Sequence, residues 1–212
     1  MLTKEKIVQN RATFVNLLKS IDIHGADIDG LISFLDESDF FFAPASIKCH
    51  AAYDGGLCEH SLNTYRVIVE LAGYMEYLGE QKLADERKFD ENSLKVVALL
   101  HDLGKANYFT EYARNVKDEN GKWTSVREFK IREPEDRELG NVAVNTFLLV
   151  SKFIPLNPDE TSALINFNCG LDIGYANKDM CSILAKSSLT TLLHCADMMS
   201  CYLIEQRHEQ DN

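Results

Sequence analysis

The sequence predicts a mostly α-helical bundle interrupted by one β-hairpin near residues 114–131. Three observations carry that prediction. Apolar residues recur at i, i+3, i+4 and i+7 through most of the 212 residues, the period of a helix with one buried face. Only "RNVKDENGKWTSVREFKI" (114–131) places β-compatible runs on both sides of an Asn-Gly pair, Asn120-Gly121, and that dipeptide supplies the backbone a tight hairpin needs. Hydrophobic residues make up 45% of the chain, enough for one sizeable core, and no repeat, low-complexity tract or linker divides it. One domain over 1–212 is expected, with 1–46 as a helical extension packed on a core of 50–202.

Residues 3–20 are amphipathic, with Ile7, Phe14, Leu17 and Leu18 on one stripe. Their charged pattern is unlike a basic segment followed by an apolar leader. Residues 27–36 form a short second helix. "SDFFFAPAS" (38–46) breaks the period at Pro44 and reads as a packed loop, and its Phe40–Phe42 run leaves a homo-oligomer contact open. A long helix runs from Leu57 to Leu78, with His60, Thr64, Val67, Leu71, Met75 and Leu78 inward. Residues 91–102 form another, closed by Gly104, with Leu94, Val97, Ala98 and His101 on one face. Beyond the hairpin, helices are expected over 138–153 and 159–168, separated by Pro155 and Pro158. A last helix is expected over 180–208, carrying Leu184, Leu189, Leu192, Leu193 and Ala196.

Composition narrows the function classes. No run of about 18 apolar residues is present, so no membrane span is expected. The net charge of −11 disfavours long nucleic acid, whose binding rests on phosphate neutralisation. Residues 103–137 are the exception, with eight basic residues (Lys105, Arg114, Lys117, Lys122, Arg127, Lys130, Arg132, Arg137) against seven acidic ones. An anionic ligand would meet the least repulsion there. The six cysteines, Cys49, Cys58, Cys169, Cys181, Cys195 and Cys201, form no C-x-x-C pair. Buried free thiols in a reducing compartment are expected.

Three predicted helices each carry a potential metal ligand on the inner face: His60, the pair His101-Asp102, and Asp197, one turn past Leu193. A single inward histidine is ordinarily a hydrogen-bonded core residue. A buried aspartate is more telling, because an unpaired carboxylate is costly to bury, and no Lys or Arg lies within a helical turn of Asp197. Two imidazoles and two carboxylates form a mixed N/O set suited to Mn²⁺, Fe²⁺, Ni²⁺ or Zn²⁺, with positions left for water.

The order His60 … His101-Asp102 … Asp197, with "GGLCEHSL", "ALLHDLGK" and "HCAD", resembles the HD superfamily of metal-dependent phosphohydrolases over roughly residues 50–202. "HAAYDGGLCEHSL" also resembles the lead-in of HD-type 3′–5′ exoribonucleases. "RNVK" with an inserted hairpin looks similar to small HD hydrolases of bacteria and their phages. The resemblance implies an HD-domain helical bundle and phosphoester hydrolysis in a bacterial or phage-encoded protein, and the charged N-terminal helix and free thiols read as cytoplasmic. It implies metal ligation by His60, His101, Asp102 and Asp197, with Asp102 also acting on the water and Lys105 on phosphate charge.

One departure matters. Relatives of this type carry two further histidines that help hold a second metal, where this chain reads "LGNVAVNT" (139–146) and "FNCGLD" (167–172). Asn141 and Asn168 stand in their place, and an amide oxygen is a poorer ligand than imidazole. One metal is therefore expected. Asn141 and Asn168 join His50, Arg114 and Lys117 as candidate substrate contacts. Arg114 and Lys117 read equally as phosphate ligands or as a solvated hairpin edge, and His50 equally as a phosphate contact or a structural residue. Trp123, Tyr108 and Phe109 read as packing or as base-stacking surfaces. His194 reads as a brace, with His24 and His208 outside the site. The expected substrate is a nucleotide, cyclic nucleotide or short oligonucleotide. The competing readings are a weakened module that binds or sequesters a nucleotide, and a helical interaction domain without metal.

Overall fold

In the computed structural model, residues 2–133, 141–168 and 177–205 are described, with side chains from 182 in the last segment. His208 and Cys169 lie outside them, as do parts of the two strings holding Asn141 and Asn168. The described elements are helices α1 (Lys4–Lys19), α2 (Ile28–Glu37), α3 (Gly56–Glu80) and α4 (Glu91–Leu100), a 3-10 turn (Leu103–Lys105), and strands β1 (Phe109–Lys117) and β2 (Trp123–Ile131). They continue with α5 (Val142–Val150), α6 (Pro158–Asn166), α7 (Asn177–Lys186), α8 (Ser188–Met199) and a widened π turn (Ser200–Ile204). The fold is mostly α with one β-hairpin.

Side-chain caps set several helix starts, because the first backbone N–H groups lack partners within the helix. Thr3 accepts from Lys6 N, Asp90 from Ser93 N and Asn141 from Ala143 N and Val144 N. Asn157 and Glu160 form a reciprocal capping box ahead of α6, with Pro158 in its first turn. Helix α3 has no side-chain cap; Gly55 precedes it at φ +79°.

The helices enclose one cluster in which Phe14 and Leu18 of α1 meet Leu57 and Leu62 of α3, Val96 to Leu100 of α4, Leu164 of α6 and Leu193 of α8. Helix α4 lies deepest, buried from Ser93 to Leu100, and α3 packs between α4 and α8. Burial at this scale dominates the favourable side of folding, at about 25 cal/mol per Å² of apolar surface.

Several boundaries differ from the sequence expectation. The expected helix over 180–208 is broken at Ser187, whose hydroxyl accepts from Thr190 N and so starts α8 afresh. Helix α4 ends at Leu100, so Asp102 sits in the following turn. Helix α5 covers 142–150 and not 138–153, and begins where Asn141 caps it. Strand β1 starts at Phe109, because β2 reaches back to pair Ile131 with it in an antiparallel register. The connection spans Asp118–Lys122, with Gly121 at φ +74°.

Gly104 also has another role than closing a helix. Its φ is not positive; a Cβ there would lie 2.3 Å from the Val142 carbonyl oxygen. Its N–H donates to Thr146 Oγ1 at 2.9 Å. The missing side chain lets the N-terminal turn of α5 press against the turn that carries Asp102 and Lys105. Among the cysteines, Cys58 and Cys201 are buried, whereas Cys49 and Cys195 are exposed, against the expectation of burial. Cys49 lies on a bend and Cys195 on the outward face of α8.

Candidate metal centre

Four elements meet at one buried point. Helix α3 brings His60 and the end of α4 brings His101, both 0% exposed. The turn after α4 supplies Asp102 (3%) and α8 supplies Asp197 (9%). His60 Nε2 lies 3.0 Å from His101 Nε2, 3.1 Å from Asp197 Oδ1 and 3.6 Å from Asp102 Oδ2. His101 Nε2 lies 3.6 Å from Asp102 Oδ2 and 3.9 Å from Asp197 Oδ1. Ligand atoms of His60, His101 and Asp102 all fall within 4.8 Å of one another, and Asp197 joins them through the two imidazoles.

Each imidazole is oriented by its far nitrogen. His101 Nδ1–H donates to the Ala98 carbonyl at 2.9 Å. His60 Nδ1–H donates to Glu205 at 3.0 and 3.2 Å. Both Nε2 atoms therefore face each other, the arrangement in which a metal-binding histidine is fixed by a carboxylate or carbonyl behind it. Ligands held at 2.0–2.1 Å around one tetrahedral ion stand roughly 3.3 Å apart, close to the separations found. His60, His101 and Asp102 therefore fit a divalent ion, with Asp197 beside His60 at 3.1 Å.

The same cluster demands positive charge. Burial opposes ionisation of His60, but the hydrogen bonds and charges of Asp197 and Glu205 overcome it and raise its pKa to about 10. Burial holds His101 below its ordinary value. Burial would raise Asp197, yet the hydrogen bond from His60 and the charges of His60, His101 and Lys105 hold it well below the carboxylate range. Asp102 is likewise lowered against burial, chiefly by Lys105. A divalent cation would meet two ionised carboxylates and compete with one proton on His60.

Lys105 Nζ donates to Asp102 Oδ2 at 2.6 Å and to the Ala45 carbonyl at 2.9 Å. Lys105 keeps its proton: burial opposes the charge, but Asp102 outweighs it and raises the pKa. His50 stacks against His60 with ring centroids 4.8 Å apart, and its Nε2 is buried without a hydrogen-bond partner. Burial, with His60 and Lys105 nearby, lowers its pKa to about 4. His194 Nδ1–H donates to the Phe167 carbonyl at 2.8 Å, while the Phe167 ring lies edge-on to His101 at 5.0 Å. His24 is exposed.

The two hairpin candidates are paired on the hairpin itself. Arg114 pairs with Glu128 across the hairpin at 2.7 Å, and the Lys117 ammonium sits over Trp123 at 5.3 Å. Neither makes a hydrogen bond or ion pair with the cluster among the described residues. The Asn141 amide oxygen accepts from two backbone N–H groups of α5. Asn168 is half-buried, one residue past Phe167.

Two residues escaped the sequence reading. Glu205 is 6% exposed; it holds His60 and accepts from Asn63 Nδ2 at 3.1 Å. Cys201 Sγ–H donates to Asp197 Oδ1 at 3.4 Å. Burial and the neighbouring carboxylates push this thiol far above its ordinary value. The signal was present, since Asp197, Cys201 and Glu205 recur every four residues, one stripe of a helix.

A family model described as the HD domain matches residues 57–164, just over half of the 212 residues. No match was found among curated proteins or among solved structures. No helix among the described residues is long and apolar enough to cross a membrane.

Proposed function

Because the chain belongs to the HD domain family, in general metal-dependent phosphohydrolases, we propose that it hydrolyses a phosphoester of a nucleotide, cyclic nucleotide or short oligonucleotide. The observation that supports this most is the meeting of two Nε2 atoms at 3.0 Å, each backed by a Nδ1–H donor bond, beside Asp102 and Asp197. His60, His101, Asp102 and Asp197 would hold one divalent ion of the Mn²⁺, Fe²⁺, Ni²⁺ or Zn²⁺ kind. When bound, such an ion supplies an activated water at neutral pH and polarises a phosphoryl oxygen.

The remaining work falls to the chain. Asp102 holds two partners at once, the imidazoles on one side and the Lys105 ammonium on the other, which lets its carboxylate steer a water's proton. Lys105, fixed by the Ala45 carbonyl and Asp102, puts a permanent cation beside the site to offset charge developing on phosphate. The buried Phe167 ring, edge-on to His101, helps keep bulk water from screening these charges. Arg114 and Lys117 are assigned to the hairpin's own pairing.

The second reading, a module that binds a nucleotide without turnover, is favoured by one observation: Asn141 spends its amide oxygen on the α5 cap. It therefore does not take up the metal-holding work of the histidine that relatives carry there. A hydrolysis screen over mono-, di-, tri- and cyclic nucleotides with added Mn²⁺ separates the two. Turnover that disappears in Asp197→Ala is expected. Bound metal with a retained nucleotide and no turnover would favour the second reading, and failure to bind any divalent ion would exclude both.

A further inference from the structure

A second group of donors lies on the other side of His60. A ring nitrogen of His50, a His60 nitrogen, Cys201 Sγ and a Glu205 carboxylate oxygen all lie within 4.8 Å of one another. The family's second-metal histidines are not among them; these residues come from the loop before α3 and from the end of the chain's described part.

The electron-pair bookkeeping is uneven there. His50 Nε2 is buried and has no hydrogen-bond partner, although a buried ring nitrogen ordinarily finds one. Glu205 accepts from His60 Nδ1–H and from Asn63, which leaves lone pairs on a carboxylate that has about four. Cys201 gives its only proton toward Asp197. An unpartnered ring nitrogen, a carboxylate with lone pairs to spare and a sulfur with its proton turned away therefore converge beside His60.

The scaffold holds the donors in place. Ala45 N–H bonds the Ala51 carbonyl at 3.0 Å and Ser46 Oγ–H bonds the His50 carbonyl at 2.7 Å, closing the His50 loop on itself. Glu205 N–H bonds the Ser200 carbonyl at 2.9 Å, so the π turn brings Cys201 and Glu205 toward the same point. Turns of this kind are frequent at functional sites.

We infer that His50, Cys201 and Glu205 form a second cation site, selective for a thiophilic divalent ion of the zinc type, beside the ion held by the four HD residues. One imidazole, one thiolate and one carboxylate give three protein ligands, with the fourth position open to water. His60 serves both sites, with Nε2 facing the first and Nδ1–H holding the Glu205 carboxylate for the second. Binding releases the Cys201 thiol proton to solvent, as thiolate ligation requires. The inference rests on the phosphohydrolase reading only for the neighbouring ion. It restores a two-metal centre by a different set of residues from the one that Asn141 and Asn168 lack.

Cobalt(II) is the probe. The full chain, stripped with chelator and reloaded, is expected to bind two Co²⁺ and to show a thiolate-to-cobalt charge-transfer band in the near ultraviolet. Cys201→Ser is expected to lose the band and to fall from two ions to one. His50→Ala is expected to fall to one as well, while Cys49→Ser keeps both ions and the band. A wild-type chain that binds one Co²⁺ without the band would overturn the second site and leave the phosphohydrolase reading intact. A band that survives in Cys201→Ser would equally overturn it. Binding of no ion at all would remove the first site together with the second.

Discussion

The hairpin and the helical cluster both gather ionisable side chains and use them in opposite ways. On β1 and β2 every named cation finds an acid beside it or an aromatic face below it. Arg127 pairs with Asp54 and Glu111, Arg114 with Glu128, Lys130 with Glu133, and Lys117 sits over Trp123. These groups are largely solvated, and such pairs contribute about 0–1 kcal/mol each. In the cluster, His60, His101, Asp102, Asp197 and Glu205 are all less than 10% exposed, and only Lys105 brings a permanent positive charge. Exposed charge that is already paired says little about function, whereas convergent buried donors short of a cation call for a ligand.

The largest expected effect falls on the cluster. Asp197→Ala removes a carboxylate that both imidazoles face, and stoichiometric Mn²⁺ binding is expected to be lost, with hydrolysis falling to background in the nucleotide screen. Lys105→Ala comes next. It is expected to lower kcat by about 10²–10³, the usual loss for one charge-stabilising donor, while ion content measured by mass spectrometry stays unchanged. Equal losses in kcat and ion content would place Lys105 in the metal scaffold instead.

Two stability measurements follow. A saturating divalent ion is expected to raise the thermal midpoint of the chelator-stripped chain, by mass action equivalent to about 2.7 kcal/mol at a free ion concentration of 100 Kd. Gly104→Ala is expected to cost about 1–3 kcal/mol, the usual range for overpacking, because the new methyl meets the Val142 carbonyl. Its denaturation midpoint would show this, and an unchanged midpoint would mean that α5 does not press on the Asp102 turn. The smallest effect belongs to the hairpin. Arg114→Ala is expected to change stability by no more than about 0.5 kcal/mol and to leave KM within about twofold. A tenfold rise in KM would blur the contrast between the two regions by drawing the hairpin into the substrate site.

Much of the cluster was legible because its residues break a local rule in separate elements. His60, His101 and Asp197 each occupy an inward position of an otherwise apolar helical face, and chance alone rarely repeats that three times. Asn120-Gly121 was legible for a similar reason, since turn chemistry is local. Glu205 and Cys201 were not, although they continue the Asp197 stripe. Their role depends on a π turn and on His60, 145 residues away from Glu205 in sequence, and no local pattern encodes that meeting. The start of β1 at Phe109 was hidden likewise, since Ile131 on the partner strand sets it. Ser187 and Gly104 show how one side chain can act against a longer periodic trend, by capping a new helix or by leaving room for its neighbour.

The most direct measurement is a calorimetric titration of Mn²⁺ into the chelator-stripped chain, beside His60→Ala and Asp197→Ala prepared in the same way. Saturable binding in the wild-type chain that is lost in both variants is the expected result. Binding of equal strength in all three would contradict the assignment of these residues as the metal centre.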